Sequence, residues 1–357
     1  MKNLLILIAA MIIVFSGCEK TTTVPPVIPK EFEFFKNVEV GSQPSKIYYD
    51  SETKKFHIFC LGKDLNFNEQ FDTGDENPSW WALNEDDIEN PIKEKEFDFG
   101  YMGFPFRPCF DLKERLLFIS QNGKILSYNI NNFTLVDANI GSYAASAISK
   151  IGDTLFISIN PVKSERGYVI IYNYKTREEL KKINSGINVR QSVYYETNKK
   201  KILAILSEGT GNNDVELQFI ELRKDSIYPL TVFKEIGKTG NYIERYVNLL
   251  AVVMNGSNEV IIIDLSNIAV KKTINTGTTG FDGPREAVFL SSSELLITTY
   301  SGDVRLIDIN AESIKKIFPV DSKAEGICIK KDEYMLVSNI SNTDYSANNI
   351  ISIFKGK

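Results

Sequence analysis

From Asn122 onward the chain repeats one pattern of apolar and polar positions. A small polar turn comes first, then about seven residues that alternate apolar with polar or run on as apolar. "NGKILSYNIN" begins at Asn122, "RGYVIIYNYK" at Arg166 and "NDVELQFIEL" at Asn213. "GSNEVIIIDLSN" follows at Gly256, "SGDVRLIDINAE" at Ser301 and "ANNIISIFKG" at Ala347. A period near two puts successive side chains on opposite faces, which is strand geometry and not helix geometry.

A second landmark precedes each unit, an apolar strand that ends in Gly. It stands at Gly41, Gly100, Gly141, Gly186, Gly237 and Gly277, with Asp321 in the seventh place and spacings of 40 to 59 residues. Three further strands fit between landmarks; after Gly277 they are "EAVFL", "ELLITTY" and "VRLIDI", and "IKKIFPV" closes the unit. Four short strands in such a unit read as a β-propeller blade. A blade is apolar on both faces and cannot bury both alone, so blades stack into a ring. The expected fold is all-β: seven antiparallel four-stranded blades. The last unit, after "EGICIKK", "YMLVSNI" and "NIISIFK", lacks a fourth strand, while "EFEFFKNVEV" (Glu31 to Val40) has no unit before it. That leading strand is expected to complete the last blade and close the ring.

"VDSKAEGICIKKDEYMLVSNIS" and "VEVGSQPSKIYYDSETKKFHIFCLG" resemble the YVTN-type (YncE-like) propeller repeats of bacterial surface and periplasmic proteins. The shared features are a valine-rich strand, a loop with Gly or Pro, an inner apolar strand, a charged turn and an apolar strand ending near Asn. The resemblance covers roughly residues 31–357. It implies architecture well and chemistry poorly, because one fold hosts many functions. WD-repeat signals (Gly-His, Trp-Asp) fit worse in a chain with one His and two adjacent Trp, and the Gly-Gly of kelch repeats is absent.

The first residues follow another rule. "MKNLLILIAAMIIVFSGC" has one early Lys, an apolar run from Leu4 to Phe15 and then Ser16-Gly17-Cys18. The run is too short to span a bilayer and reads as a signal segment, residues 1–17. Ser-Gly-Cys resembles a bacterial lipoprotein cleavage box, which implies a lipidated Cys18 anchored through its acyl chains; the alternative is a plain secretory signal. Residues 18–30, rich in Thr and Pro, read as an extended tether. The expected location is therefore extracytoplasmic, on the outer membrane, facing the periplasm or the cell surface.

Composition narrows the chemistry. A net charge of −5 over 357 residues argues against a general nucleic-acid binder. Cys60, Cys109 and Cys328 sit in apolar runs without a CxxC and read as buried small side chains, with one disulfide possible. His57 is the sole histidine, so a His-based triad or multi-His metal centre is not expected. The first unit carries an insert, residues 63–78, with Asp64, Glu69, Asp72, Asp75 and Glu76. Their spacing matches no standard calcium loop, so a solvated acidic loop is expected, overhanging any central pocket. Trp80 and Trp81 are expected to pack between blades, one on each face of their strand.

One constellation rises above background. Just past the landmarks stand Lys46, Arg107, Arg190, Arg245 and Arg285, with Lys238 and Lys323 slightly earlier. Aligned on the repeat, they ring the mouth of the central channel as an anion-attracting funnel. Tyr101, Phe104, Phe106, Tyr143, Tyr242 and Phe281 interleave. Such a wall suits an anionic or polycyclic small ligand, with Glu325 beside it. The alternative is that these cations pair with Glu244, Glu286 and Glu325 and tie blades together.

The expected function is a lipid-anchored binding protein or interaction scaffold, with no catalytic residue, cofactor or metal assigned. By resemblance, the partner is an outer-membrane transporter, as in helpers of nutrient uptake including cobalamin capture, or another surface protein. The rival is a metal-dependent lactonase-like or lyase-like propeller enzyme using Glu325 with Asn160, Asn255 and Asn339.

Overall fold

The computed structural model describes residues 31–66, 71–98, 107–121, 123–161, 165–197, 200–224 and 226–357. The signal segment, Cys18 and the tether lie outside them, as do Gly100, Tyr101, Phe104, Phe106 and residues 67–70 of the insert.

Strand β1 (Phe32–Glu39) comes first. Blade 1 is β2 (Pro44–Asp50), β3 (Lys55–Cys60), β4 (Ser79–Asn84) and β5 (Asp87–Glu96). Blade 2 is β6 (Cys109–Asp111), β7 (Leu116–Gln121), β8 (Lys124–Asn129) and β9 (Leu135–Gly141). Blade 3 is β10 (Ala145–Ile151), β11 (Thr154–Ile159), β12 (Arg166–Asn173) and β13 (Glu178–Ile187). Blade 4 is β14 (Val189–Thr197), β15 (Lys200–Ser207), β16 (Glu216–Leu222) and β17 (Ile227–Lys234). Blade 5 is β18 (Gly240–Tyr246), β19 (Leu249–Met254), β20 (Glu259–Asp264) and β21 (Ala269–Asn275). Blade 6 is β22 (Pro284–Phe289), β23 (Glu294–Thr299), β24 (Asp303–Asp308) and β25 (Ser313–Pro319). Blade 7 is β26 (Lys323–Lys330), β27 (Tyr334–Ser341) and β28 (Ala347–Gly356), and β1 is its outer strand.

The ring closes as the repeat pattern requires. β1 runs antiparallel to β28, with Phe34 opposite Phe354 and Val38 opposite Ile351. Seven apolar clusters fill the seven spaces between neighbouring blades. β15 shows how one strand feeds two of them. Ile202, Ala204 and Leu206 face blade 5, while Leu203 and Ile205 face blade 3. Each fully buried Ile or Leu contributes about 1.5–3 kcal/mol. Trp80 and Trp81 divide in the same way. Trp80 is fully buried against blade 2, and Trp81 is partly buried in the cluster shared with blade 7.

Blade 2 departs from the rest. Its inner strand β6 has three residues, against six to nine in the others. Ahead of it, Arg107 forms an isolated parallel bridge with Ala147 of blade 3.

Candidate functional site

Six of the seven inner strands break register near their first residues. The residues at the break are Ser45, Ser146, Arg190, Asn241, Arg285 with Glu286, and Glu325 with Gly326. A bulge re-aims the side chain at the extra residue, here toward neighbouring blades at the wheel's centre. The resulting bonds run from blade to blade. Ser146 Oγ donates to Val189 O (2.7 Å), Asn241 Nδ2 to Arg285 O (2.5 Å) and Thr298 Oγ1 to Glu325 O (2.7 Å). Gly326 is required by one such approach, since a Cβ there would lie 2.4 Å from Ser45 O.

The basic residues expected to form an open funnel are mostly neutralised. Arg285 Nε donates to Glu325 Oε2 at 2.8 Å, and Tyr300 Oη donates to the same oxygen at 2.9 Å. Arg285 and Glu325 are 5% and 4% exposed, so the pair is sealed from water. Burial opposes the charge on each, yet each partner more than offsets it. The Arg285 pKa rises and that of Glu325 falls. Arg190 pairs with Glu208 at 2.8 Å. Burial, with Arg285 and Arg107 nearby, still lowers the Arg190 pKa. Lys46 reaches across the channel from blade 1 to an ion pair with Glu286 of blade 6. It also donates to Tyr242 Oη at 3.4 Å, and Tyr242 in turn donates to Glu244 Oε2 at 3.0 Å. Burial, helped by the Glu286 charge, pushes Glu244 up to about 7.

Two of the expected ring residues behave differently. Arg245 lies at the far end of β18, exposed, and its Nε donates to Val247 O at 3.2 Å. It does not stand with the others, because the inner strand carries it past the bulge and out of the opposite end. Arg107 does stand with them but has no carboxylate within ion-pair reach among the described residues. Its Nη1 donates to Gln191 Oε1 (3.1 Å) and Asn241 O (3.0 Å), and its guanidinium lies 4.6 Å from the centre of the Tyr242 ring.

Beside Arg107 is a cavity of about 220 Å³, walled by the inner strands of blades 1 to 5. Tyr48, Phe110 and Tyr242 form its aromatic side, and Lys46, Arg107 and Gln191 part of its polar side. Phe281, also expected in the wall, is 84% exposed on the loop between blades 5 and 6. Tyr143 is committed elsewhere, donating to Glu179 at 2.9 Å.

The residues of the rival metal reading are engaged with protein. Asn160 accepts from Val189 N (2.6 Å) and donates to Val189 O (3.1 Å), bracing blade 3 on blade 4. Asn255 donates to Pro284 O (3.4 Å) and Asn339 to Ser352 Oγ (2.9 Å). Among the described residues no group of three His, Cys, Asp or Glu could hold a metal ion.

His57 accepts at Nδ1 from Trp80 Nε1 (3.0 Å), so its proton sits on Nε2, 3.8 Å from Asp50. Burial lowers its pKa to about 4. Cys60, Cys109 and Cys328 carry free thiols, and burial pushes Cys109 and Cys328 up to about 12. In the insert, Asp75 accepts from Leu65 N and Asp72 N, both at 2.7 Å, and Glu76 accepts from Ser42 Oγ at 2.7 Å. The described part of the insert therefore lies against the β1–β2 connection and contributes nothing to the cavity wall.

No family model and no curated protein matches the chain. Among solved structures it is similar to the WD40 β-propeller domain of Doa1. The TM-score is 0.65 at 10% identity, over 91% of this chain and 97% of that one. At that identity the likeness shows architecture alone. The chain folds as a seven-bladed β-propeller. It does so without the Gly-His and Trp-Asp signals of WD repeats, because the ring depends on two-faced apolar strands and not on those dipeptides.

Sequence reading missed Glu208, Tyr300, Gln191 and Tyr48. Gln191 had a usable signal, since it stands next to Arg190 in the sequence, whereas Glu208 lies one residue past the end of β15.

Proposed function

We propose that this propeller is an extracytoplasmic, lipid-anchored interaction scaffold that holds a partner protein on the face bearing the blade-to-blade connections. The YVTN-type resemblance, the Ser16-Gly17-Cys18 box and the Thr- and Pro-rich tether support the location and the anchor at Cys18. One observation carries the choice of face. Phe281, Tyr345, Leu65 and Phe71 are 84%, 55%, 54% and 53% exposed on loops of that face, serving blades 6, 7 and 1. Lys323 ties two of these loops. It pairs with Asp282 at 3.0 Å and lies 3.9 Å from the centre of the Tyr345 ring. Exposed aromatic and aliphatic side chains beside a charged pair are the composition of an interface centre with a polar rim.

The anchor is tested by Cys18→Ser, which is expected to move the protein from the membrane to the soluble fraction of its host. The face is tested by photo-crosslinking from position 281 in the host. A discrete adduct that disappears with Tyr345→Asp supports the reading. Labelling no different from a rim position such as Leu180 counts against it.

A further inference from the structure

The cavity beside Arg107 has a one-sided polar lining. Among the described residues its wall holds three cations, Lys46, Arg107 and Lys150, and no carboxylate. Two of the three already have carboxylate partners outside the cavity wall: Lys46 pairs with Glu286, and Lys150 with Asp111 and Glu114. Among the described residues Arg107 is bonded through Nη1 alone, to neutral oxygens, which leaves Nε and Nη2 for a ligand. Gln191 Oε1 already accepts from Arg107 and from Ile243 N (3.1 Å), so its Nε2 donor is left over. Ser149 and Ser192 hydroxyls lie 3.3 Å apart, where one can donate to the other and the second hydrogen remains. Donor hydrogens are therefore left over on Arg107, Gln191 and one of the two serines. The wall also holds the rings of Tyr48 and Phe110, stacked with centroids 4.8 Å apart. At about 220 Å³ the space is below the 300–1,000 Å³ of drug-sized ligand sites.

We propose that this cavity binds a small monocarboxylate with a flat apolar body, about the size of benzoate. Its carboxylate is held by the Arg107 guanidinium and Gln191 Nε2, and its body lies on the Tyr48–Phe110 side. A planar fork is the donor geometry a carboxylate fits best. The proposal is independent of the partner face, since Phe281 and Tyr345 take no part in it.

The test is calorimetric titration of the folded protein with benzoate, benzamide and inorganic phosphate. Benzoate is expected to bind at least tenfold more tightly than benzamide, its uncharged analogue, and more tightly than phosphate. Arg107→Gln is expected to weaken benzoate at least tenfold. Ser149→Leu fills the cavity and leaves Arg107 in place; it is expected to abolish binding, and decides the matter if Arg107→Gln does not fold. The proposal is overturned by absence of benzoate binding at millimolar concentration. It is equally overturned by equal affinity for benzamide or phosphate, or by binding that survives Ser149→Leu.

Discussion

Arg285 and Arg107 stand at matching places on opposite sides of one wheel, each just ahead of or within the start of an inner strand. The next blade hands Arg285 a carboxylate, Glu325, and a tyrosine hydroxyl to complete it. Arg107 finds an amide, a carbonyl and a ring. The first arrangement is a staple between blades 6 and 7. The second leaves a charged fork at the edge of a cavity, where the inner strand of blade 2 shrinks to three residues. The same residue type at the same repeat position thus serves cohesion or capture according to what its neighbour presents.

The largest test of that contrast is to remove each arginine. Arg285→Ala leaves Glu325 buried without its counter-charge and is expected to destabilise the protein by about 3–5 kcal/mol. Arg107→Ala removes bonds to neutral acceptors at a half-buried site and is expected to cost about 1 kcal/mol. Denaturant unfolding of both variants measures the gap, and equal losses would erase the distinction. Replacing the staple as a unit, with Arg285→Met, Glu325→Leu and Tyr300→Phe, is expected to restore most of the loss, because no charge then remains unpaired.

The next effect is on pH dependence. Glu244 lies on the Lys46–Tyr242 chain that crosses the channel, and its folded pKa is raised from 4.5 to about 7. A raised carboxyl pKa means the folded state holds the proton more tightly than the unfolded one. The contribution is fully present below pH 4.5 and is lost as pH rises through 7. Its amplitude is about 1–3 kcal/mol. Measured in a His57→Phe background, unfolding is expected to show stability falling between pH 5 and 7, a slope that Glu244→Gln flattens. His57 imposes the opposite slope: its folded pKa is lowered from 6.5 to about 4, so its contribution is present above 6.5 and lost as pH falls toward 4. The two windows overlap, so in the unaltered protein the opposed slopes largely cancel between about pH 4.5 and 6.5, and Glu244→Gln alone is expected to unmask stability that rises with pH over that range.

The smallest test converts one arginine's situation toward the other's. Gln191→Glu places a carboxylate where Arg107 Nη1 now meets an amide oxygen, and the oxygen that accepts from Ile243 N is preserved. Stability is expected to change by no more than about 1 kcal/mol. Benzoate binding is expected to vanish, since the Arg107 charge is then cancelled and the Gln191 Nε2 donor is lost.

Much of the wheel was legible in the sequence because blades are local. Each strand pairs with its neighbour in sequence, the period of two marks the faces, and the unmatched strand at Phe32 and the missing one after Phe354 point to each other. The centre was less legible because its bonds are not local. Lys46 meets a glutamate 240 positions away, and nothing in either segment announces the other. Arg245 was grouped with the ring by its distance from the Gly landmark. Landmark spacing does not locate the bulge that decides which end of the strand a side chain occupies. The short inner strand of blade 2 was likewise hidden, since "FRPCFDL" reads as an ordinary apolar run until its partners are known.

Where the wheel closes, the N–H of Lys357 donates to the carbonyl of Glu31 at 2.9 Å. The seam is thus stitched by backbone and by paired rings such as Phe34 and Phe354. A chain re-cut at the exposed turn around Tyr345, with Lys357 spliced to Glu31 through a few glycines, would trace the same circle from a different starting point.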